Sequence, residues 1–311
     1  MNSKYLEYFL RVAETGSINK AAVELKISQP SLSRNISLLE HEMGSELFVR
    51  SRNGVSLTEP GKLLFEQARP LLRQFSILRE QIGDMARGQV AVGIPPSWRA
   101  VLTVDFSQAI LADNDQIEVR VNENVSHVIR AQLDAGVVDL CIAPSESAAS
   151  GTIRQTPIVE EPLVLVGSAA AGLSPKKPVP VSALSGLPII TPPRPNAIRK
   201  MIEQELAIHQ TDFNVAIEVD TLGLSLAMAA RDLGYSITPR CALLSNPQFT
   251  DVTWAPISNL FLQWSLFENL KRTHSQAVRK CRRLIFDLTA KSAASKRWGG
   301  AQSLQRSKQL A

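Results

Sequence analysis

Gln29, Ser33, Arg34 and Ser37 fall at spacings that gather them on one side of a short helix, and their chemistry is hydrogen bonding to flat, edge-presenting partners. At about 100° per residue, the face opposite Leu32, Ile36 and Leu39 carries Pro30, Arg34 and Ser37, is flanked by Ser33, and has Gln29 projecting from the helix start. This surface is polar, short and singly basic. Gln can pair bidentately with adenine, Arg with guanine and Ser with either, so the face suits the major groove of DNA. Polar residues on a helix face are more often a solvated surface, and two helices with a short turn occur in many all-α domains. The elements that hold this face decide between the two readings.

The segment SINKAAVELKISQPSLSRNISLLE, residues 17–40, predicts two helices. Ser17 caps the first, whose apolar stripe is Ile18, Ala21, Ala22 and Leu25, with paired alanines small enough for close approach of a second helix. Ser28 caps the second, and Pro30 stands in its first turn, where a missing donor costs little. Upstream, Leu6, Phe9, Leu10 and Ala13 give a third amphipathic helix. Downstream, LFVRSRNGVSLT predicts two short strands around Asn53-Gly54, a wing whose Arg50 and Arg52 can reach phosphates.

The ordered series GS, AA, SQP, SLSR, LE, LF, R, G, LT and G, within AETGSINKAAVELKISQPSLSRNISLLEHEMGSELFVRSRNGVSLTEPGKLL, resembles the winged helix-turn-helix of LysR-type transcriptional regulators. The resemblance implies recognition-helix contacts at Gln29, Pro30, Ser31, Ser33 and Arg34, and wing contacts at Arg50 and Arg52. It also implies double-stranded DNA as partner.

A long helix is expected from Thr58, its cap, to about Ala86, with a 4-3 alternation at Leu64, Ala68, Leu71, Phe75, Leu78, Ile82 and Met85. At 1.5 Å per residue it would be about 40 Å long, a stalk whose seam needs a second copy, so the sequence implies a homodimer. Two recognition helices related by a two-fold axis would read a pseudo-palindromic operator. Pro70 should kink or loosen the helix. The family resemblance extends the dimer to a homotetramer.

From Gly88, strands alternate with helices, which implies α/β organisation with parallel pairing. A second run of the same kind starts at EEPLVLVGS, so two lobes are implied, with chain crossings at about 144–162 and 259–263. The expected fold is thus an N-terminal, mainly α winged helix-turn-helix (1–58), a linker and dimerisation helix (59–87) and a two-lobed α/β effector domain (88–290). Lobe 1 comprises about 88–161 and 264–290, and lobe 2 about 162–263. Residues 291–311 read as a basic, disordered tail. The pieces VGIPPS, SHVIRAQLDAGVVDL and EEPLVLV resemble the family's effector domain, which shares the periplasmic-binding-protein fold. GQVAVGIPPS, PPRPNAIRK and DTLGLSLA are similar to the nitrogen-assimilation-control subgroup.

Where two α/β lobes meet, strand C-terminal ends and helix N-termini offer N–H groups to a small ligand, a carboxylate or similar anion. The candidates are the helix starts Ser97, Ser126 and Thr221, with Thr191 after a strand and Arg194 as charge partner. Ser97 and Ser126 also match effector-binding positions of the resembling family. The competing reading is plain N-capping. Trp98 either lines the cleft or fills a core, and His127 is a weaker contact candidate beside a helix start.

With 311 residues and 44% hydrophobic content, the chain is long enough for two or three domains with real cores. The excess of basic residues lies largely after Ala290, so the net charge of +5 is weak evidence for nucleic acid. Cys141, Cys241 and Cys281 are far apart and suit buried small hydrophobes; neither metal nor other cofactor nor redox switch is expected. No export signal or spanning segment is read, which points to the cytoplasm and to no membrane partner. An enzyme on the α/β half is disfavoured, since G-x-S-x-G and phosphate-cradling glycine loops are missing and the S-x-x-K from Ser174 to Lys177 lies in a Pro/Lys loop. A plain solute-binding protein would leave the N-terminal reader unexplained. The expected mechanism is allosteric: effector shifts the lobes, and with them the spacing or bend of bound DNA.

Overall fold

The computed structural model describes residues 3–51, 54–82, 88–113, 117–145, 151–273, 275–295 and 298–304. The chain divides into two compact units, Met1–Met85 and Ala86–Ala311.

In the first unit, helix α1 (Ser3–Thr15) buries Leu6, Phe9, Leu10 and Val12. Helix α2 (Ile18–Glu24) starts at Ser17, whose hydroxyl accepts the Lys20 amide, and buries Ala21 and Ala22. Its end is a Schellman turn with Lys26 at φ 55°: the Ile27 amide reaches the Ala22 carbonyl and the Lys26 amide reaches that of Val23. Helix α3 (Gln29–Met43) then begins at Ser28, which accepts the Ser31 amide, and buries Leu32, Ile36 and Leu39. Strands β1 (Phe48–Ser51) and β2 (Gly54–Leu57) form the antiparallel wing.

The wing's register corrects the sequence expectation by one residue. Ser51 pairs with Gly54, so the connection is 52–53 and Gly54 belongs to the strand. Gly54 is needed for close approach instead: at φ +130°, a Cβ there would lie 2.6 Å from the Gly16 carbonyl oxygen, which accepts the Val55 amide. Helix α4 (Glu59–Ile82) starts at Thr58, whose hydroxyl accepts the Gly61 amide, and continues unbroken through Pro70. Glu66 is exposed, so water can serve the carbonyl that Pro70 leaves without a donor.

The second unit is built on β3 (Gln89–Ile94), α5 (Val104–Ala112), β4 (Glu118–Glu123), α6 (Ser126–Asp134), β5 (Leu140–Pro144), β6 (Ile153–Ser168) and β7 (Ile189–Thr191). It continues with α7 (Ala197–Ile208), β8 (Val215–Glu218), α8 (Leu222–Ala230), β9 (Tyr235–Pro239), α9 (Arg240–Leu244), β10 (Val252–Asn269), α10 (Gln276–Ala294) and β11 (Gln302–Ser303). Strand order is β4-β3-β5-β10-β6-β9-β7-β8, with β11 on β6. Pairing is parallel within β4-β3-β5 and within β9-β7-β8, and antiparallel where β10 and β6 join them. The parallel strands β3 and β5 are almost wholly buried, as their continuous apolar runs require.

The crossings between lobes are not loops. Strands β6 and β10 are 16 and 18 residues long and pair with each other through both halves, with irregularities between Pro256 and Phe261 and between Trp264 and Ser265. A buried ion pair ties lobe 1 together: Arg272 donates from Nε to Asp139 at 3.0 Å and from Nη2 to the Gln89 carbonyl, while Asp139 accepts the Ala91 amide.

The expected disordered tail is partly ordered. Helix α10 continues to Ala294, Trp298 is buried, and β11 pairs with Glu160 and Val159 of β6. One apolar anchor in a polar stretch gives no periodicity to read, which is why composition missed it. No helix among the described residues is long and apolar enough to cross a membrane.

Candidate nucleic-acid interface and effector site

Ser28 sets the start of α3, the helix that carries the candidate face. Gln29, Pro30, Ser31, Arg34 and Ser37 are exposed on α3, opposite the buried Leu32, Ile36 and Leu39, and Ser33 is half-buried beside them. The Gln29 amide donates to the Ser33 hydroxyl at 3.0 Å, which holds its head over the helix start. Arg34 has no ion pair among the described residues, so its guanidinium is available to a base edge or phosphate. Glu40 binds this helix to the wing by accepting the amides of Leu47 at 2.9 Å and Phe48 at 3.3 Å. Arg50 lies in β1, but its side chain, like Arg52 and Asn53, lies outside the described residues.

In the second unit, Ser97, Ser126, Thr191 and Thr221 follow or end β3, β4, β7 and β8, all at the C-terminal ends of parallel strands. Their local roles differ from those expected. Ser97 lies inside a 3₁₀ turn, Pro96–Trp98, and its carbonyl accepts the Ser245 hydroxyl at 2.7 Å. Ser126 is the first residue of α6, which begins at Val125 without a side-chain cap, and His127 beside it is exposed. Thr221 is exposed and caps α8 by accepting the Leu224 amide. Thr191 is buried, and its hydroxyl has no partner among the described residues. Arg194 is 71% exposed and bonded to Glu203 at 2.9 Å, a carboxylate it shares with the buried Arg199. It is therefore already paired, not held ready for a ligand.

Residues 3–62 match the family of bacterial regulatory helix-turn-helix proteins, lysR family, and residues 83–289 match the LysR substrate binding domain. The chain belongs to the LysR family. It is a DNA-binding transcriptional regulator with a substrate-binding effector domain. Among curated LysR-type relatives, it is 28% identical over 274 residues to the nitrogen assimilation regulatory protein nac of Klebsiella aerogenes, covering 87% of this chain and 88% of that one. It is 31% identical over 189 residues to the hydrogen peroxide-inducible genes activator of Escherichia coli O157:H7, covering 60% and 62%. Among solved structures, full-length CbnR complexed with its target DNA shares the fold at TM-score 0.66 and 20% identity, covering 94% of this chain and 100% of that one.

Within this LysR effector domain, the sequence reading passed over a cluster where the two lobes meet. Glu161 of β6 is fully buried and accepts three neutral donors: Trp264 Nε1 at 2.7 Å, Trp298 Nε1 at 2.8 Å and the Cys241 amide at 2.8 Å. Burial pushes its carboxyl above the usual range, and those bonds oppose the rise. Arg240 follows β9 as Ser97 follows β3; it is half-buried, stacked 4.4 Å over the Trp254 ring, and its Nε has no partner among the described residues. Burial lowers the Arg240 pKa, with Glu161 acting against the fall. Ser245 joins the lobes by accepting the Ala100 amide and donating to Ser97. The available signals were a charged residue opening an apolar strand, EEPLVLVG, and an Arg directly after SITP.

Proposed function

We propose that this LysR-type regulator reads a pseudo-palindromic operator in the cytoplasm as a homodimer joined along α4, assembled further into a homotetramer, under control of a small molecule bound between its lobes. The observation that carries the reading is the exposed polar face of α3, set by Ser28 and by the Gln29–Ser33 bond, with Arg34, which has no ion pair among the described residues, exposed on it. Gln29, Pro30, Ser31, Ser33, Arg34 and Ser37 would lie in the major groove, with Arg50 and Arg52 on the flanking backbone. Nothing in this mechanism requires catalysis: ligand binding acts by favouring one lobe arrangement.

For the effector, Ser97, Ser126 and Thr191 remain the proposed polar contacts, and Arg240 takes the charge-partner role first given to Arg194. Thr221 is a weaker contact, since its hydroxyl is engaged in capping. The nitrogen assimilation regulator supports a regulatory role but names no ligand.

Arg34→Ala tests the reading. Affinity for duplex from the gene's own promoter should fall by about tenfold to a hundredfold, as loss of a bidentate base contact does, with circular dichroism unchanged. Unchanged affinity in a folded variant would refute the assignment.

A further inference from the structure

Trp298 is the only buried side chain in residues 298–304. The rest of that segment lies along the sheet: Ala301 packs against the core from its surface, Gln302 and Ser303 pair with Glu160 and Val159, and the Leu304 amide reaches the Ile158 carbonyl at 3.0 Å. The Trp298 ring stands edge-on to Trp98 at 5.3 Å and 85°, and Trp98 stands edge-on to Trp264 at 5.4 Å and 74°. Its indole N–H meets the same oxygen of Glu161 that accepts the Cys241 amide.

Two features separate this place from ordinary core. A carboxylate is buried with neutral hydrogen-bond donors on its oxygens and only the half-buried Arg240 as a cation near enough to feel its charge, which is costly compared with an apolar residue of the same size. The Trp98 Nε1, on a fully buried ring, finds no acceptor among the described residues. A buried carboxylate and an unpartnered indole N–H among three aromatic edges are the groups a ligand site uses, and here a short segment of the chain itself supplies one of the rings.

We infer that residues 298–304 are a removable internal ligand of the interlobe site: Trp298 occupies a subsite for a small planar aromatic that donates an N–H to Glu161, and the two exclude each other. The inference rests on the effector-binding reading above and names the chemistry of one end of that site. This end asks for a donor; the anionic end expected of the effector falls to Arg240. Release of the segment would leave Glu161 with two of its three donors and free the Trp98 and Trp264 edges to receive the incoming ring.

Hydrogen exchange of the full-length protein, with and without indole as the probe, tests this. The amides of Ala301 and Leu304 should exchange by local opening at least about tenfold faster than those of β6 and β10, and indole should accelerate them further. By calorimetry, a chain ending at Ser295 should bind indole at least about tenfold tighter than the full chain, because no internal competitor remains, and Glu161→Leu in that shortened chain, which removes the acceptor, should abolish the gain. Protection of Leu304 equal to that of β6, with no effect of indole, overturns the proposal, and this readout stands even where the shortened chain fails to fold. Such a result leaves Arg34-dependent operator binding untouched, so the regulator reading fails or survives separately.

Discussion

Gly61 lies against the carbonyl of Leu47 so closely that a Cβ on it would sit 2.1 Å from that oxygen. The carbonyl cannot retreat, because it accepts the Thr58 amide at 3.0 Å while Glu40 holds the amides of Leu47 and Phe48. Reading helix, wing and α4 therefore meet at one backbone crossing.

Gly61→Ala should cost about 3 kcal/mol in the first unit, at the upper end of ordinary single substitutions, despite the better helix propensity of alanine. Urea unfolding of the variant would show a lower midpoint, with operator binding lost before the second unit melts. A change below about 0.5 kcal/mol, the usual size for surface sites, would contradict the crowding.

Much of the first unit was legible because its signals are local. Serine caps, a 3.6-residue apolar stripe and a tight hairpin each lie within a few residues, and Ser17, Ser28, Leu32, Ile36 and Leu39 stand where those rules put them. The candidate effector site was less legible because the residues gathered there are distant in sequence. Glu161, Cys241, Trp264 and Trp298 meet only through the pairing of β6 with β10 and the return of the chain after α10. Arg194, read from the sequence as a charge partner for a ligand, shows the same limit: its bond to Glu203, nine residues downstream, follows from the folding of the chain before α7 and from no local pattern.

Stability should depend on pH through Glu161. Its folded carboxyl titrates above the ordinary 4.5, because burial disfavours the anion. The unfolded chain therefore loses this proton first as pH rises. The contribution is fully present below the unfolded value and is lost as pH climbs through the folded one. Denaturant titrations of the native protein and Glu161→Gln should diverge across this window: the native protein loses stability with rising pH relative to the variant, whose curve lacks this component. Parallel curves from pH 4 to 8 would show that the carboxyl is not the titrating group; the range brackets the usual carboxylate and histidine values.

The three thiols should be inert. Cys141, Cys241 and Cys281 are all buried. Burial, with Asp139 nearby, pushes Cys281 up to about 12, while burial and Glu161 push Cys241 well up. Since the thiolate is the reactive form, iodoacetamide should modify the native protein slowly and all three cysteines once urea is added. Peroxide should leave operator affinity unchanged. Rapid alkylation of the folded chain, or peroxide-dependent operator binding, would contradict this.

The seam expected along α4 divides in two. Ala68 is fully buried and Leu64 packs beside it in the first unit's own core, whereas Leu71 and Phe75 are 48% and 47% exposed, near Leu63 at 64%. The side chains of Leu78 and Ile82, and Met85 altogether, lie outside the described residues. Only the exposed part is left for a second copy. Leu71→Glu with Phe75→Glu should place two charges in that seam, break the α4 contact and lower the order of assembly seen by sedimentation velocity. Operator affinity should fall by about a hundredfold or more, because each half-site is then read alone. Leu64→Ala, on the inward part, should instead cost about 1–2 kcal/mol of stability and leave the sedimentation coefficient unchanged. Assembly that survives the double charge substitution would move the dimer contact off α4.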